Sequence, residues 1–260
     1  MRYGVCATVE SCKIISDAGY DYIELSVAGD LNPDLSDAEW LPIQRKIEQM
    51  PLVPEAFNSF VRSGHIVGEH VDEQRLKRYV STALKRASFV GGSIIVFGSG
   101  GARQIPEGFS LEVANQQLVR FLQICADASE ETGVTVVIEP LCSKECNNIN
   151  LVSEGATLAR EINRPGVRNL ADTYHMEMEG ESNNAIEESA DVLAHVHTAD
   201  SKRLAPGTGT YDHSAMFRSL ARAKYNNRIS IECNWEDALA DRAYSALQHL
   251  KGCNEGITTQ

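Results

Sequence analysis

The chain has 260 residues, of which 43% are apolar and 23% are charged. This composition excludes an intrinsically disordered chain, and the length is sufficient to bury an independent core without disulfides. The formal net charge of −12, from 36 acidic and 24 basic side chains, argues against a protein that binds nucleic-acid phosphates and weakly favours a carboxylate-lined cation site.

The cysteines and the first residues indicate the compartment. Seven cysteines is an odd number, and their spacing matches neither a disulfide framework nor paired zinc-ligand motifs. Charged residues at Glu10, Lys13 and Asp17 interrupt any apolar signal-peptide core, and no later segment approaches 18 consecutive apolar residues. We therefore expect a soluble cytoplasmic protein with no membrane contact.

Short runs rich in Val, Ile and Leu alternate with longer helical patterns along the chain, without a linker-like break in composition. The runs predict eight strands, at residues 3–7, 22–25, 52–57, 93–97, 134–138, 167–171, 192–198 and 228–233. The intervening patterns predict eight helices, at residues 10–17, 36–49, 73–89, 111–130, 153–162, 184–190, 213–223 and 238–251.

Three helix ends carry specific signals. Asp72 and Asp212 stand where N-caps are expected for the helices that begin at residues 73 and 213. Gly133 follows the helix at 111–130, at a position that favours a left-handed terminating residue. These signals place the helix boundaries independently of hydrophobic periodicity.

Eight strands alternating with eight helices in about 250 residues predict a (β/α)8 TIM barrel, here one α/β domain over residues 1–260. The rival fold is a doubly wound open sheet, which normally has a Gly-rich phosphate turn after its first strand. Thr8, Val9 and Glu10 occupy that place. The glycines at 98–101 follow the fourth strand and lack the GxGxxG spacing, so we favour the barrel.

Polar side chains end the last four predicted strands. In a parallel barrel these ends surround the active site, and period-two alternation directs one face of each strand inward. His195 lies one inward layer deeper than His197, where we expect a neutral imidazole hydrogen-bonded within the core. The last inward positions could converge on a divalent ion such as Mn²⁺, Mg²⁺ or Co²⁺, and they are Glu139, Asp172, His197 and Glu232.

The chain resembles a known family in segments that cover nearly its whole length. The segments are AGYDYIEL, VPEAFN, GGSIIVFGSGGARQIPEGF, VVIEPLCSKECNNINLVSEG, LADTYHM, HVHTADSKRLAPGTG and ISIECNW, of which the last four are the most specific. They resemble the sugar phosphate isomerase/epimerase family with a xylose-isomerase-like barrel, which includes ketose 3-epimerases, hydroxypyruvate isomerase and inosose dehydratase.

The resemblance implies a metal centre and an acid/base pair. It implies that one divalent ion (Mn, Mg or Co, with Zn also compatible) is bound by Glu139, Asp172, His197 and Glu232, and that Glu139 and Glu232 also transfer protons. The implied activity is isomerisation or epimerisation of a small sugar or sugar phosphate, through proton abstraction next to a carbonyl and a metal-bound enediolate. The expected partner is this small molecule, with no nucleic acid, and the sequence is compatible with a homo-oligomer.

The resemblance also implies that Glu145, His175 and Arg203 contact the substrate. They lie six, three and six residues beyond the implied metal ligands, spacings that match the family. Residues 142–144 depart from it, because Cys, Ser and Lys replace the usual Asn, Arg and aromatic residue. The sequence therefore leaves the identity of the sugar open.

Three other functions compete with this one. An inosose-dehydratase-like lyase would use similar proton abstraction and expel water. A trinuclear zinc enzyme of the endonuclease IV type would need extra histidines where the earlier strands end, and residues 57–58 and 98–99 are Phe, Asn, Gly and Ser. A non-catalytic sugar-binding barrel would not need all four implied ligands.

Two further segments have open interpretations. The glycines at 98–101, together with Arg103, could offer hydrogen-bond donors to a phosphate, and a flexible loop explains them equally well. Phe57, Phe97 and Trp235 could line the mouth of the site or pack in the core.

Overall fold

Eight parallel strands close into a barrel in the computed structural model, which describes residues 1–258. Each strand pairs with the next along the chain, and the eighth pairs with the first, so the sheet has no free edge. The strands are β1 (Arg2–Cys6), β2 (Tyr22–Ser26), β3 (Pro54–Asn58), β4 (Ile94–Phe97), β5 (Thr135–Ile138), β6 (Val167–Asp172), β7 (Leu193–Thr198) and β8 (Arg228–Ile231). The predicted (β/α)8 barrel is confirmed.

Helices connect the strands and surround the barrel. They are α1 (Cys12–Asp17), α2 (Asp37–Glu48), α3 (Glu73–Phe89), α4 (Gly100–Arg103), α5 (Leu111–Thr132), α6 (Val152–Ile162), α7 (Thr173–Glu179), α8 (Asn184–Glu188), α9 (His213–Arg222) and α10 (Leu239–Thr258). Within residues 1–258, none of these helices is both long and apolar enough to cross a membrane. All seven cysteines are free thiols.

The helix-end signals are confirmed. The side chain of Asp72 accepts a hydrogen bond from the Arg75 amide at 2.9 Å, and Asp212 accepts one from the Ala215 amide at 2.9 Å. Gly133 ends α5 with φ of 73°, in the left-handed region. Helices α4 and α7 were not predicted, because they follow their strands almost directly and contain no Val, Ile or Leu that would mark an apolar stripe.

Two apolar shells hold the barrel together, because successive strand residues point to opposite faces. The outer shell lies between strands and helices and forms one large cluster. The inner shell is much smaller and contains Tyr22, Ala56, Ile94, Val96, Val137 and Leu170. A β-carbon on Gly4 would lie within 2.3 Å of the Tyr22 ring, so Gly4 makes room for this ring inside the barrel. Above the inner shell, the inward positions become polar.

A pair of histidines between α9 and α10 was not predicted. His213 is 1% exposed, and its Nδ1 lies 3.2 Å from Nε2 of His249. The Tyr211 ring packs edge-on against His213, and burial lowers the pKa of His213 to about 4 despite the nearby charge of Asp200. The fold therefore favours the neutral imidazole at this position.

We expect His213 to make the fold sensitive to acid. The unfolded chain binds this proton near pH 6.5 and the folded chain only near pH 4, so stability decreases as pH falls through that window, by up to about 3 kcal/mol. His213→Gln should reduce the difference in thermal unfolding midpoint between pH 7.5 and pH 4.5, while His70→Gln at an exposed position should not. An unchanged pH dependence in His213→Gln would contradict this assignment.

Candidate active site

Four side chains from four consecutive strand ends meet at the C-terminal mouth of the barrel. Nδ1 of His197 lies 3.0 Å from Glu139 Oε1, 3.6 Å from Glu232 Oε2 and 4.0 Å from Asp172 Oδ2. One donor atom from each of the four residues lies within 4.8 Å of all the others. The structure thus brings together the four residues that the strand pattern singled out.

The donor set has the chemistry and spacing of a divalent metal site. Donors at about 2.1 Å from a shared octahedral ion are about 3.0 Å apart when adjacent and about 4.2 Å apart when opposite, which matches the distances around His197 Nδ1. Asp172 Oδ1 accepts from the Tyr174 amide at 2.8 Å, whereas its buried Oδ2 has no hydrogen-bond partner among the described residues. A buried oxygen without a partner beside an imidazole and two carboxylates fits a cation ligand.

The pKa values of Glu139 and Glu232 are shifted in opposite directions, and the pKa of His197 is raised. Burial opposes a charge on His197, yet the negative charge of Glu24 and the hydrogen-bonding carboxyl groups around the ring together outweigh it and raise the pKa of His197 well above its ordinary value. Burial raises the pKa of Glu139, an effect that the hydrogen bond with His197 only partly offsets. Burial also opposes ionisation of Glu232, but His197 and Arg203 outweigh it and lower its pKa to about 2. The environment therefore makes Glu139 the weaker acid and Glu232 the stronger acid of this pair.

Arg203 connects this cluster to the rim of the site. Its Nη2 donates to Glu232 Oε2 at 2.5 Å, and its Nη1 lies 3.5 Å from Glu145 Oε1. The guanidinium stacks over the Tyr174 ring at 4.8 Å. Glu145 is exposed at the rim. The ion pair places Arg203 and Glu145, two of the predicted substrate contacts, next to each other.

The loop after β7 holds Arg203 in a strained backbone. Arg203 and its neighbour Lys202 have φ of 61° and 60°, in the region that non-glycine residues seldom adopt. The buried carboxylate of Asp200 stabilises this loop by accepting hydrogen bonds from the backbone amides of Ser201, Gly207 and Tyr211 at 2.8, 2.8 and 2.9 Å. Asp200 therefore organises the segment that carries Arg203.

His175 faces the same site from the first turn of α7. Its Nδ1 accepts a hydrogen bond from the Cys142 amide at 3.1 Å, which leaves Nε2 to carry the proton of the neutral imidazole. Nε2 lies 3.8 Å from Asp172 Oδ2. His175 can thus offer an N–H donor to a molecule bound above the cluster.

A cavity of about 680 Å³ opens above the cluster. Its wall includes all three predicted substrate contacts, which are Glu145, His175 and Arg203. Glu139 and Glu232 also line it. A larger groove of about 840 Å³ lies on the outside of the barrel, between α5 and the residues around α6. Of these two, only the cavity at the barrel mouth is lined by Glu139 and Glu232.

The glycine segment at 98–101 has a steric role. A β-carbon on Gly98 would lie 2.3 Å from Glu139 Oε2, and one on Gly100 would lie 3.0 Å from the Leu141 side chain. Arg103 is fully buried and its Nη2 donates to the Glu139 carbonyl oxygen at 2.9 Å. The suggestion that Arg103 offers its guanidinium to a phosphate is therefore wrong, because the side chain lies in the interior.

The structure decides between the two interpretations that the sequence left open for three aromatic residues. Phe57 and Phe97 are fully buried in the outer shell, and Phe97 packs against Phe121 of α5 at 4.9 Å between ring centroids. Trp235 is partly buried against the same shell. All three pack with the core rather than along the cavity wall.

Sequence reasoning missed one residue of this centre, Glu24 on β2. Its side chain is fully buried and hydrogen-bonds to His195, His197 and Ser230. His195 is bonded within the core as expected, and burial lowers its pKa below the ordinary value. Period-two alternation could have found Glu24, since it shares the inward face of its strand with Tyr22.

Comparison with known proteins gives a family match over most of the chain. The family model described as a xylose isomerase-like TIM barrel matches residues 12–253. The chain is 29% identical to the 3-dehydro-D-guloside 4-epimerase of Escherichia coli (strain K12) over 64% of its own length and 67% of that protein. It is 32% identical to the ketose 3-epimerase of Arthrobacter globiformis over 41% of this chain and 37% of that one.

A solved structure agrees with this match. The apo form of 3-keto-D-glucoside 4-epimerase from E. coli superimposes with a TM-score of 0.81 and 25% sequence identity. The superposition covers 97% of this chain and 100% of the other. The structural similarity therefore extends over nearly the whole chain.

Proposed function

The chain belongs to the xylose isomerase-like TIM-barrel family, and from this premise we propose that it is a sugar epimerase that inverts a carbon next to a ketone. It is an enzyme of the sugar isomerase/epimerase class, as its relatives are. The names of two relatives support the finer proposal, because C4 of a 3-keto sugar and C3 of a ketose are both adjacent to a carbonyl.

One observation carries the proposal: two carboxyl groups with opposite pKa shifts converge on the same nitrogen of one imidazole. Glu139 and Glu232 approach Nδ1 of His197 at 3.0 and 3.6 Å, and burial raises the pKa of Glu139 whereas Glu232 remains ionised. A pair of carboxyl groups whose environments favour different protonation states can supply an acid and a base at one site. Inversion at carbon needs both.

We propose that Glu139, Asp172, His197 and Glu232 hold a divalent metal ion. The unpartnered Asp172 Oδ2 and the mutual spacing of the four donors support this. When bound, such an ion would supply positive charge to stabilise the oxyanion that develops during proton abstraction. The donor set of three carboxylates and one imidazole suits Mn²⁺, Mg²⁺ or Co²⁺, and Zn²⁺ is compatible.

Separate side chains transfer the protons and bind the substrate. One carboxylate removes the proton from the carbon next to the carbonyl, and the other delivers a proton to the opposite face. Arg203 binds a substrate oxygen while its contact with Glu232 Oε2 keeps that carboxylate charged. His175 donates from Nε2 to a second oxygen, and Glu145 accepts from a hydroxyl at the rim. Return of the proton to the neighbouring carbon would give isomerisation by the same groups.

Product analysis tests this function. The metal-loaded protein is incubated with 2-ketoses, their phosphates and 3-keto glycosides, and the products are separated by chromatography. We expect an epimer of at least one substrate, with its mass unchanged. A product lighter by one water would instead assign the chain to the dehydratase type, and three zinc ions per chain would favour the endonuclease IV type.

We expect Arg203→Lys to lower kcat/KM by about 10- to 100-fold. Lysine lacks the planar fork that contacts Glu232 and Glu145, and it cannot stack on Tyr174 in the same way. Steady-state kinetics on the best substrate measure the effect. Lys202→Gln is the matched control, since the adjacent exposed residue should stay within about twofold of the original protein. Equal values for both variants would remove Arg203 from the site.

A further inference from the structure

Glu24 lies inside the barrel, beneath the four proposed metal ligands. Its Oε1 accepts a hydrogen bond from Nε2 of His197 at 3.0 Å. Its Oε2 accepts from Nε2 of His195 at 3.0 Å and from the Ser230 hydroxyl at 2.6 Å. A fully buried carboxylate with three such partners is held in one orientation.

In the neutral imidazole that binds a metal ion, this arrangement determines which nitrogen of His197 carries the proton. An ionised carboxylate only accepts hydrogen bonds, so the imidazole nitrogen that faces Glu24 must donate. That nitrogen is Nε2, which leaves Nδ1 directed at Glu139, Asp172 and Glu232. A metal ion binds only the unprotonated nitrogen of an imidazole, and a hydrogen bond at the other nitrogen fixes this choice.

We propose that Glu24 is a positioning residue for the metal centre, which orients the His197 ring and keeps its Nδ1 available as a ligand. The inference rests on the proposed metal site. His195 and Ser230 orient Glu24 in turn, because they hydrogen-bond to its Oε2 while its Oε1 faces His197. Glu24 itself does not touch the substrate cavity.

A control for Glu24 should lose a buried hydrogen bond in the same part of the barrel and leave the partner of His197 unchanged. Tyr22 lies on the same strand and hydrogen-bonds through its hydroxyl to Ser230 at 2.8 Å. It is fully buried in the same part of the barrel but makes its polar contact away from His197. Tyr22→Phe therefore removes a buried hydrogen bond without altering the partner of the His197 ring, and it is the matched control for Glu24→Gln.

The first test measures metal affinity without reference to activity. Zn²⁺ is titrated into the metal-free original protein, Glu24→Gln and Tyr22→Phe in competition with a chromophoric chelator. Because loss of an outer partner of a metal-bound histidine weakens binding by about 10- to 100-fold, we expect this loss in Glu24→Gln. Tyr22→Phe should bind within about threefold of the original protein. Unchanged affinity in Glu24→Gln would overturn the inference.

The second test uses only the original protein, so it does not depend on whether a variant folds. The ¹⁵N chemical shifts of the histidines in the Zn²⁺-loaded original protein are expected to show His197 with Zn²⁺ on Nδ1 and a proton on Nε2. Metal on Nε2, or Nε2 without a proton, would overturn the role of Glu24. Absence of any zinc effect on His197 would instead contradict the metal site itself, so failure of the inference and failure of the proposed function give different spectra.

Discussion

Glu232→Gln is expected to lower the rate of solvent-deuterium incorporation into substrate by about 10² to 10⁴-fold, and Glu139→Gln by a similar factor. Each substitution removes a group that accepts or donates a proton while it preserves the shape of the side chain. The exchange is read by NMR at the carbon next to the carbonyl, at saturating metal and with the metal content of each variant measured. Circular dichroism should show the fold intact in both.

The neighbouring loop offers a matched control for this result. Glu236 is exposed four residues beyond Glu232 and pairs with Arg242 at the surface, so Glu236→Gln should exchange deuterium at the original rate. If either Glu232→Gln or Glu139→Gln exchanged at the original rate, the proposed acid/base pair would be wrong. Retention of exchange in only one of them would restrict the chemistry to a single carboxylate.

His197→Ala is expected to lose the metal. Its imidazole supplies the one nitrogen donor of the cluster, and Nδ1 is the atom to which all three carboxylates converge. Since removal of an outer partner alone weakens a metal site by up to about 100-fold, loss of the ligand should exceed that factor. Elemental analysis after gel filtration should find about one metal ion per chain in the original protein and almost none in the variant.

His70 provides the control for this substitution, because it is exposed on the surface away from the cluster. His70→Ala should retain the metal stoichiometry of the original protein. The thermal unfolding midpoint of His197→Ala must also be measured, since the substitution leaves the buried Glu24 with one donor fewer. A folded His197→Ala that still holds one metal ion would exclude His197 from the centre.

The barrel could be predicted from the sequence because its signals are periodic and local. Helix α3 begins and ends at the predicted residues, since Asp72 caps its start and the apolar stripe continues to its last turn. Helix α10 extends to residue 258, beyond the predicted end at 251, because Gly252 continues the helix rather than ending it in a left-handed conformation. Helices α4 and α7 contain no Val, Ile or Leu and therefore lack the apolar stripe from which a helix is predicted.

The sequence predicted the four-residue cluster because each member is the last inward position of its strand. It missed Glu24, since a single acidic residue in an apolar run gives no repetition, and the partners His195 and His197 are more than 170 residues away along the chain. The contact between His213 and His249 was missed for the same reason, since the two residues are 36 positions apart along the chain. The left-handed backbone at Arg203 results from contacts of Asp200 and Asn234 that no local pattern encodes.

Deuterium exchange in the original protein tests the central claim most directly. The protein is stripped of metal, divided, and incubated in D₂O with a panel of ketoses, ketose phosphates and 3-keto glycosides, with and without added divalent metal. We predict that at least one substrate incorporates deuterium next to its carbonyl when the metal is present, with little exchange when it is absent. Exchange that is equally fast without metal, or no exchange with any member of the panel, would contradict a metal-dependent sugar epimerase.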